Sequence, residues 1–135
     1  MADSFNFELV SPERLLLSAS ATEVVLPGTD GEMTVMAHHA PTMTTIKPGV
    51  VTVNTAEGKA ERYVVFGGFA DILPSGCTLL AESAVAVGDI DREDLDRRLQ
   101  NAREDLADAT DSSGKQKAQE YLDQLTTLHG AILPA

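Results

Sequence analysis

The side chains in this sequence best suited to nucleophilic or metal chemistry are three histidines and one cysteine. His38 and His39 are adjacent, so in an extended chain they point to opposite faces and do not close on one metal ion. His129 and Cys77 stand alone, far from that pair and from each other. No metal site and no cofactor is expected. A serine hydrolase needs a Ser-His-acid set, and no G-x-S-x-G nucleophile elbow occurs. Gly114-Lys115 lacks the glycine-rich approach and preceding strand of a phosphate loop. Cys77 follows Gly76 at the start of an apolar run, where a cysteine usually serves as a small core residue. The catalytic alternative is a small β-sandwich hydrolase centred on His38, His39 and Asp71, and it requires those three to converge. No catalytic residue is assigned from the sequence.

The elements that would have to position such groups change character near Gly88. Before it, Phe5, Phe7 and Leu9 alternate with Asn6, Glu8 and Val10, the period of a half-buried strand with one imperfect match at Val10. Segments 22–26, 42–46, 50–54, 62–66, 69–73 and 78–87 are rich in β-branched or apolar residues. Turn-forming residues separate them at Lys47-Pro48-Gly49, Ala56-Glu57-Gly58-Lys59, Gly67-Gly68 and Pro74-Ser75-Gly76. Many short strands punctuated in this way predict an antiparallel sandwich or flattened barrel. Its core is predicted from Phe5, Phe7, Leu9, Val25, Val35, Ile46, Val51, Val53, Val65, Phe66, Ile72 and Leu80.

After Gly88 the apolar residues step by three and four. Asp91 reads as an N-cap, with Glu93 and Asp94 in the first turn where the helix dipole favours acid. Leu95, Leu99, Ala102, Leu106 and Ala109 form one stripe. Asp111-Ser112-Ser113-Gly114 interrupts it, Ser113 with Gln116 reads as a capping box, and a second helix carries Ala118, Leu122, Leu125 and Leu128 with Gly130 as its stop. An antiparallel hairpin follows, with helices at about 91–110 and 114–129 and the division 1–87 and 88–135. Its narrow, alanine-rich stripes make it marginal alone, an element that leans on the sandwich or on a partner and can detach.

A net charge of −11 disfavours nucleic acid as a partner, because a polyanion is repelled. The acid is spread over both halves. No apolar run approaches the roughly 20 residues that cross a bilayer, so direct membrane insertion is not expected. Residues 1–8 lack a basic cluster or apolar stretch, so no export or transit signal is expected. A single cysteine suits a reducing compartment. Besides the hydrolase, a generic adaptor whose hairpin serves some other assembly fits these features.

Between Pro27 and Gly49 the order and spacing of Gly31-Glu32, His39-Ala40-Pro41 and Lys47-Pro48-Gly49 resemble the signature of the epsilon subunit of the F-type ATP synthase. Thr34 and Ala37 stand where that family usually has Gly and Pro. Phe7 to Glu13 resembles the family's opening strand and turn. Gly67-Gly68-Phe69 followed by Leu79-Leu80-Ala81-Glu82-Ser83-Ala84 resembles its closing strands. The resemblance implies a β-sandwich of about ten strands followed by an α-helical hairpin, in a non-catalytic central-stalk subunit of a bacterial proton-translocating enzyme. It implies that Ser11, His39 and Thr44 face the gamma subunit and that Glu32 faces the c-ring. Contact of the hairpin with the catalytic alpha and beta subunits, and a peripheral place on the cytoplasmic side of the inner membrane, are also implied. Some members bind ATP through an I/L-D-x-x-R-A motif and arginines on the second helix. Here Ile90-Asp91 begins the match, but Asp94 and Leu95 occupy the Arg-Ala positions and residues 115–129 contain no arginine, so no ATP site is expected.

Overall fold

In the computed structural model, which describes residues 3–132, the chain forms two compact units, Met1–Ala86 and Val87–Ala135. The first unit is all β. Its strands are β1 (Phe5–Val10), β2 (Leu15–Gly28), β3 (Gly31–Met36), β4 (Thr42–Thr55), β5 (Ala60–Leu73), β6 (Gly76–Ala81) and β7 (Ala84–Ala86). They pair in the order β1-β6-β5-β4-β2-β3, β1 also pairs with β2, and β7 lies against β5. The β1–β2 pairing closes the sheet into a flattened barrel and removes the edges that β1 and β2 would otherwise expose. β1 and β6 run parallel, and the other pairs are antiparallel.

Seven strands replace the expected ten or so because β2, β4 and β5 are each 14 residues long and serve both layers. Lys47-Pro48-Gly49 and Gly67-Gly68 are therefore not turns. β4 and β5 keep one register past them, from Thr42↔Ile72 through Ile46↔Gly68 and Pro48↔Phe66 to Asn54↔Ala60. The bend falls at Gly67 and Gly68, which take φ of 112° and 135°. At Gly68 a Cβ would stand 2.1 Å from the Leu80 carbonyl oxygen, so β6 crosses directly over bare backbone.

Phe7, Leu9, Val24, Leu26, Val35, Val51, Val53, Ile72 and Leu79 are fully buried in the barrel core. Of the predicted core residues, Val25 and Leu80 are misplaced. Val25 is half-buried and Leu80 is exposed, while Val24, Leu26 and Leu79 point inward. With side chains alternating at a period of two, a one-residue change of phase sends the whole set to the other face. Runs such as Glu23-Val24-Val25-Leu26 and Leu79-Leu80 satisfy either phase.

A single 3₁₀ turn, Val87–Asp89, leads to α1 (Arg92–Asp108) and α2 (Ser112–Ile132). Asp91 caps α1, its Oδ1 accepting the Glu93 N–H at 3.0 Å. The cap of α2 is Asp111 and not Ser113, since Asp111 Oδ1 accepts from the Gly114 N–H and its carbonyl accepts from Lys115. A carboxylate one position before the helix reaches those orphan N–H groups, whereas Ser113 already lies inside the first turn. Gly130 does not stop α2, which continues to Ile132; glycine weakens a helix interior without forbidding it. Leu95, Leu99 and Ala102 of α1 and Leu125 and Leu128 of α2 are buried, and the His129 ring N–H donates to Asp96 across the hairpin at 2.9 Å.

Candidate functional site

The register of the barrel brings together residues that are far apart in sequence. Leu15 pairs with Val10, Val10 with Leu80, Leu80 with Phe69, and Phe69 with Thr45. Strands spaced by about 4.8 Å thus carry one continuous outward row across β2, β1, β6, β5 and β4. Leu15 is 53% exposed, Phe69 41% and Leu80 38%, with Val10 half-buried between them. Met43 and Leu73 extend the apolar surface along β4 and β5. Scattered exposed apolar residues are ordinary; a connected row of them is the mark of a docking face. Val10, Ser11, Pro12, Phe69, Leu80 and Glu82 line an open cleft of about 550 Å³ along the row. Beside it, Arg14, Glu82 and Ser83 line a more polar recess of about 420 Å³.

The residues singled out from sequence do not gather at one point. Ser11 sits where the row meets the cleft, its Oγ donating to the Arg14 carbonyl in a tight turn. Thr44 shares its cross-strand row with Ala70, Leu79 and Leu9, which are fully buried, so it takes the inward phase; Met43 and Thr45 on either side take the outward one. His39 lies at the other end of β6. The preceding His38 N–H is bonded to the Pro74 carbonyl before β6 begins, whereas Ser11 follows Val10, which pairs with Leu80 near its end. A six-residue strand spans about 20 Å. Glu32 is exposed, opposite Pro27 on the β2–β3 hairpin, and that hairpin is pinned to β4 by the Thr29 N–H donating to the Thr45 carbonyl at 3.1 Å. Sequence reasoning put Val10 in the outward phase of β1, but it placed Leu80 in the core and passed over Phe69, for which the Gly67-Gly68-Phe69 block was the available signal.

The histidine pair is split by backbone geometry. His38 takes a left-handed φ of 66° and donates from Nε2 to Asp3 Oδ2 at 2.9 Å, while His39 Nδ1–H turns to the Ala40 carbonyl at 2.8 Å. Among the described residues no three His, Cys, Asp or Glu side chains gather as metal ligands. Cys77 is 2% exposed, and burial, followed by the nearby Asp71 carboxylate, pushes its thiol up to about 12. The folded chain therefore keeps this proton above the ordinary cysteine range of about 8.5, while the unfolded chain loses it. The sign is unfavourable to folding at high pH. From about pH 9 upward the parent should lose stability relative to a Cys77→Ala chain by about 1 kcal/mol per pH unit. Denaturant melts of both chains at pH 8, 9 and 10 check this, and parallel curves would contradict it. In the hairpin, Asp94 binds both neighbouring guanidinium groups, Arg97 through Nη2 and Arg98 through Nε at 3.2 Å. A carboxylate occupied in this way offers a phosphate nothing.

A barrel with an apolar outer row, joined to a capped helical hairpin, defines a subunit that acts by docking to others. Residues 4–87 match the family described as ATP synthase, Delta/Epsilon chain, beta-sandwich domain. Over all 135 residues and all of the relative's length, the chain is 72% identical to the ATP synthase epsilon chain of Mesorhizobium japonicum, and it is 67% identical to that of Sinorhizobium fredii at the same full coverage. The chain belongs to the ATP synthase epsilon chain family, whose members are non-catalytic subunits of that complex. Its fold is similar to a chain in the Euglena gracilis mitochondrial ATP synthase OSCP/F1/c-ring structure, with a TM-score of 0.74 and 25% identity over 96% of this chain and 81% of that one. A chain in the Tetrahymena thermophila mitochondrial ATP synthase central stalk/c-ring structure gives 0.68 at 11% identity, covering 91% and 94%, and shows the shared fold alone.

Proposed function

We propose that this chain is the central-stalk subunit that passes rotation of the c-ring to the catalytic head, and that it docks on the gamma subunit through the apolar row beside Ser11. The observation that carries the docking face is the row Leu15, Val10, Leu80 and Phe69, an apolar surface that the barrel builds and leaves uncovered. Ser11 and Thr45 border it. His39 and Thr44 keep their proposed gamma contacts, His39 at the far end of β6 and Thr44 half-buried between the outward Met43 and Thr45. Glu32, on the exposed β2–β3 hairpin, faces the c-ring, where a carboxylate suits basic loops. Unit 1–87 serves as the rotor-binding domain, and unit 88–135 is the helix-loop-helix domain appended to it. Among the described residues no helix is long and apolar enough to cross a membrane. The proposed place is peripheral, on the cytoplasmic side of the inner membrane, held there by protein partners.

Adding the purified chain back to membrane vesicles depleted of it tests this reading. ATP-driven proton pumping is expected to return, and vesicles that stay uncoupled would contradict it. Glu32→Lys should restore pumping several-fold less well while changing the free chain's stability by no more than about 0.5 kcal/mol, the usual range for exposed sites. A larger loss of stability would assign Glu32 to the fold.

The hairpin carries little regulation in this reading. With Asp94 at the arginine position of the nucleotide motif and paired to Arg97 and Arg98, calorimetry should find ATP binding weaker than about 100 μM, or about 5.5 kcal/mol. The basic residues Lys115 and Lys117 of α2 are accompanied by Glu120 and Asp123, which reduces any pull toward an acidic segment of the catalytic subunits. Deleting residues 89–135 should leave the ATP hydrolysis rate nearly unchanged, whereas a several-fold rise would show an inhibitory hairpin.

A further inference from the structure

The turn between β6 and β7 holds a carboxylate at the rim of the apolar cleft. Glu82 donates its backbone N–H to the Gly67 carbonyl at 3.0 Å, and the Ser83 carbonyl accepts the Phe66 N–H at 3.0 Å. Two backbone bonds therefore pin the turn to β5. The Glu82 side chain lies over Gly67, where a Cβ would stand 3.2 Å from Glu82 Oε2. It lines both the apolar cleft with Phe69 and Leu80 and the polar recess with Glu13 and Arg14. Glu82 takes part in none of the salt bridges among the described residues, and the recess with Glu13, Glu82 and Arg14 carries a net negative charge.

We propose that Glu82 is a specificity-determining residue of this face, receiving a lysine or arginine of the partner whose neighbouring apolar side chain enters the cleft between Phe69, Leu80, Val10 and Pro12. The inference rests on the reading that this face docks on the gamma subunit. Its support is charge complementarity. An apolar cleft alone accepts many hydrophobic anchors, and a carboxylate at its rim disfavours those that lack an adjacent cation. Because two backbone bonds pin the turn to β5, the backbone that carries Glu82 is pre-positioned and only its side chain is ordered on contact.

The test titrates immobilised gamma subunit with the full chain at low and high salt. Glu82→Gln keeps the shape over Gly67 and removes the charge. It should raise Kd about tenfold at low salt and flatten the salt dependence, as expected when a charge pair is lost. Leu80→Asp should weaken binding strongly at both salt concentrations. If Leu80→Asp weakens binding but Glu82→Gln stays within about twofold of the parent, the role of Glu82 is overturned while the docking face stands. If Leu80→Asp leaves the affinity unchanged, the docking face itself is wrong and the role of Glu82 falls with it. Circular dichroism melts of each variant confirm that the barrel is intact before binding is compared.

Discussion

A Gly68→Ala chain is expected to be destabilised by at least about 3 kcal/mol. Two costs combine there. A φ of 135° is a conformation that L side chains rarely adopt, and such strain costs about 1–3 kcal/mol by itself. The new methyl would also sit 2.1 Å from the Leu80 carbonyl oxygen and 2.9 Å from Ala81 Cα. Both are backbone atoms of β6, so relief requires prising β6 off β5 at the point where the apolar row crosses them. Gly58 supplies the control. Its φ is 88°, but nothing stands within 4 Å of the position its Cβ would take, so Gly58→Ala reports strain alone. For a domain of this size each kcal/mol shifts Tm by about 4–8 °C, so Gly68→Ala should melt about 15 °C below the parent and well below Gly58→Ala. Equal melting of the two variants would show that the close crossing of β5 and β6 carries no weight.

Phe69→Asp should detach the chain from the gamma subunit while leaving the barrel folded. Phe69 is 41% exposed in the outward row, between Leu80 and Thr45, and its neighbours in sequence, Gly68 and Ala70, carry the packing of β5. Replacing an aromatic anchor by a charge removes apolar contact and leaves a carboxylate to be desolvated in the interface. Central aromatic anchors are commonly worth 2 kcal/mol or more, so Kd should rise at least about 30-fold. Thr34→Asp on exposed β3, which lies outside the row, should bind as the parent does. Retained affinity in Phe69→Asp with an unchanged melt would place the gamma contact elsewhere on the barrel.

The amino-acid sequence by itself determined the two-part plan. The apolar period changes from two to three-and-four after Gly88, because a pleat and a helix present their faces at different intervals, and this change is visible in Phe5 to Leu9 and in Leu95 to Leu106. The Asp91 cap was equally legible, since the cap and the N–H it accepts lie two residues apart. Family membership was legible through short blocks such as His39-Ala40-Pro41 and Lys47-Pro48-Gly49, whose order survives without any knowledge of pairing. What only the tertiary structure decided was which side of the barrel each apolar residue serves. Leu79-Leu80 and Val24-Val25 fit either phase locally, and the choice falls to the strands that pair with them. The row from Leu15 through Val10 and Leu80 to Phe69 exists only once β1 has aligned with β6, some seventy positions later in the chain. Gly67-Gly68 likewise looks like a turn in one dimension. It becomes a bend in a continuous strand because a long β4 keeps its hydrogen-bond register on both sides of it. Local chemistry selects the kind of element. Long-range register, set by backbone pairing and by the burial of one face, selects the surface that element presents.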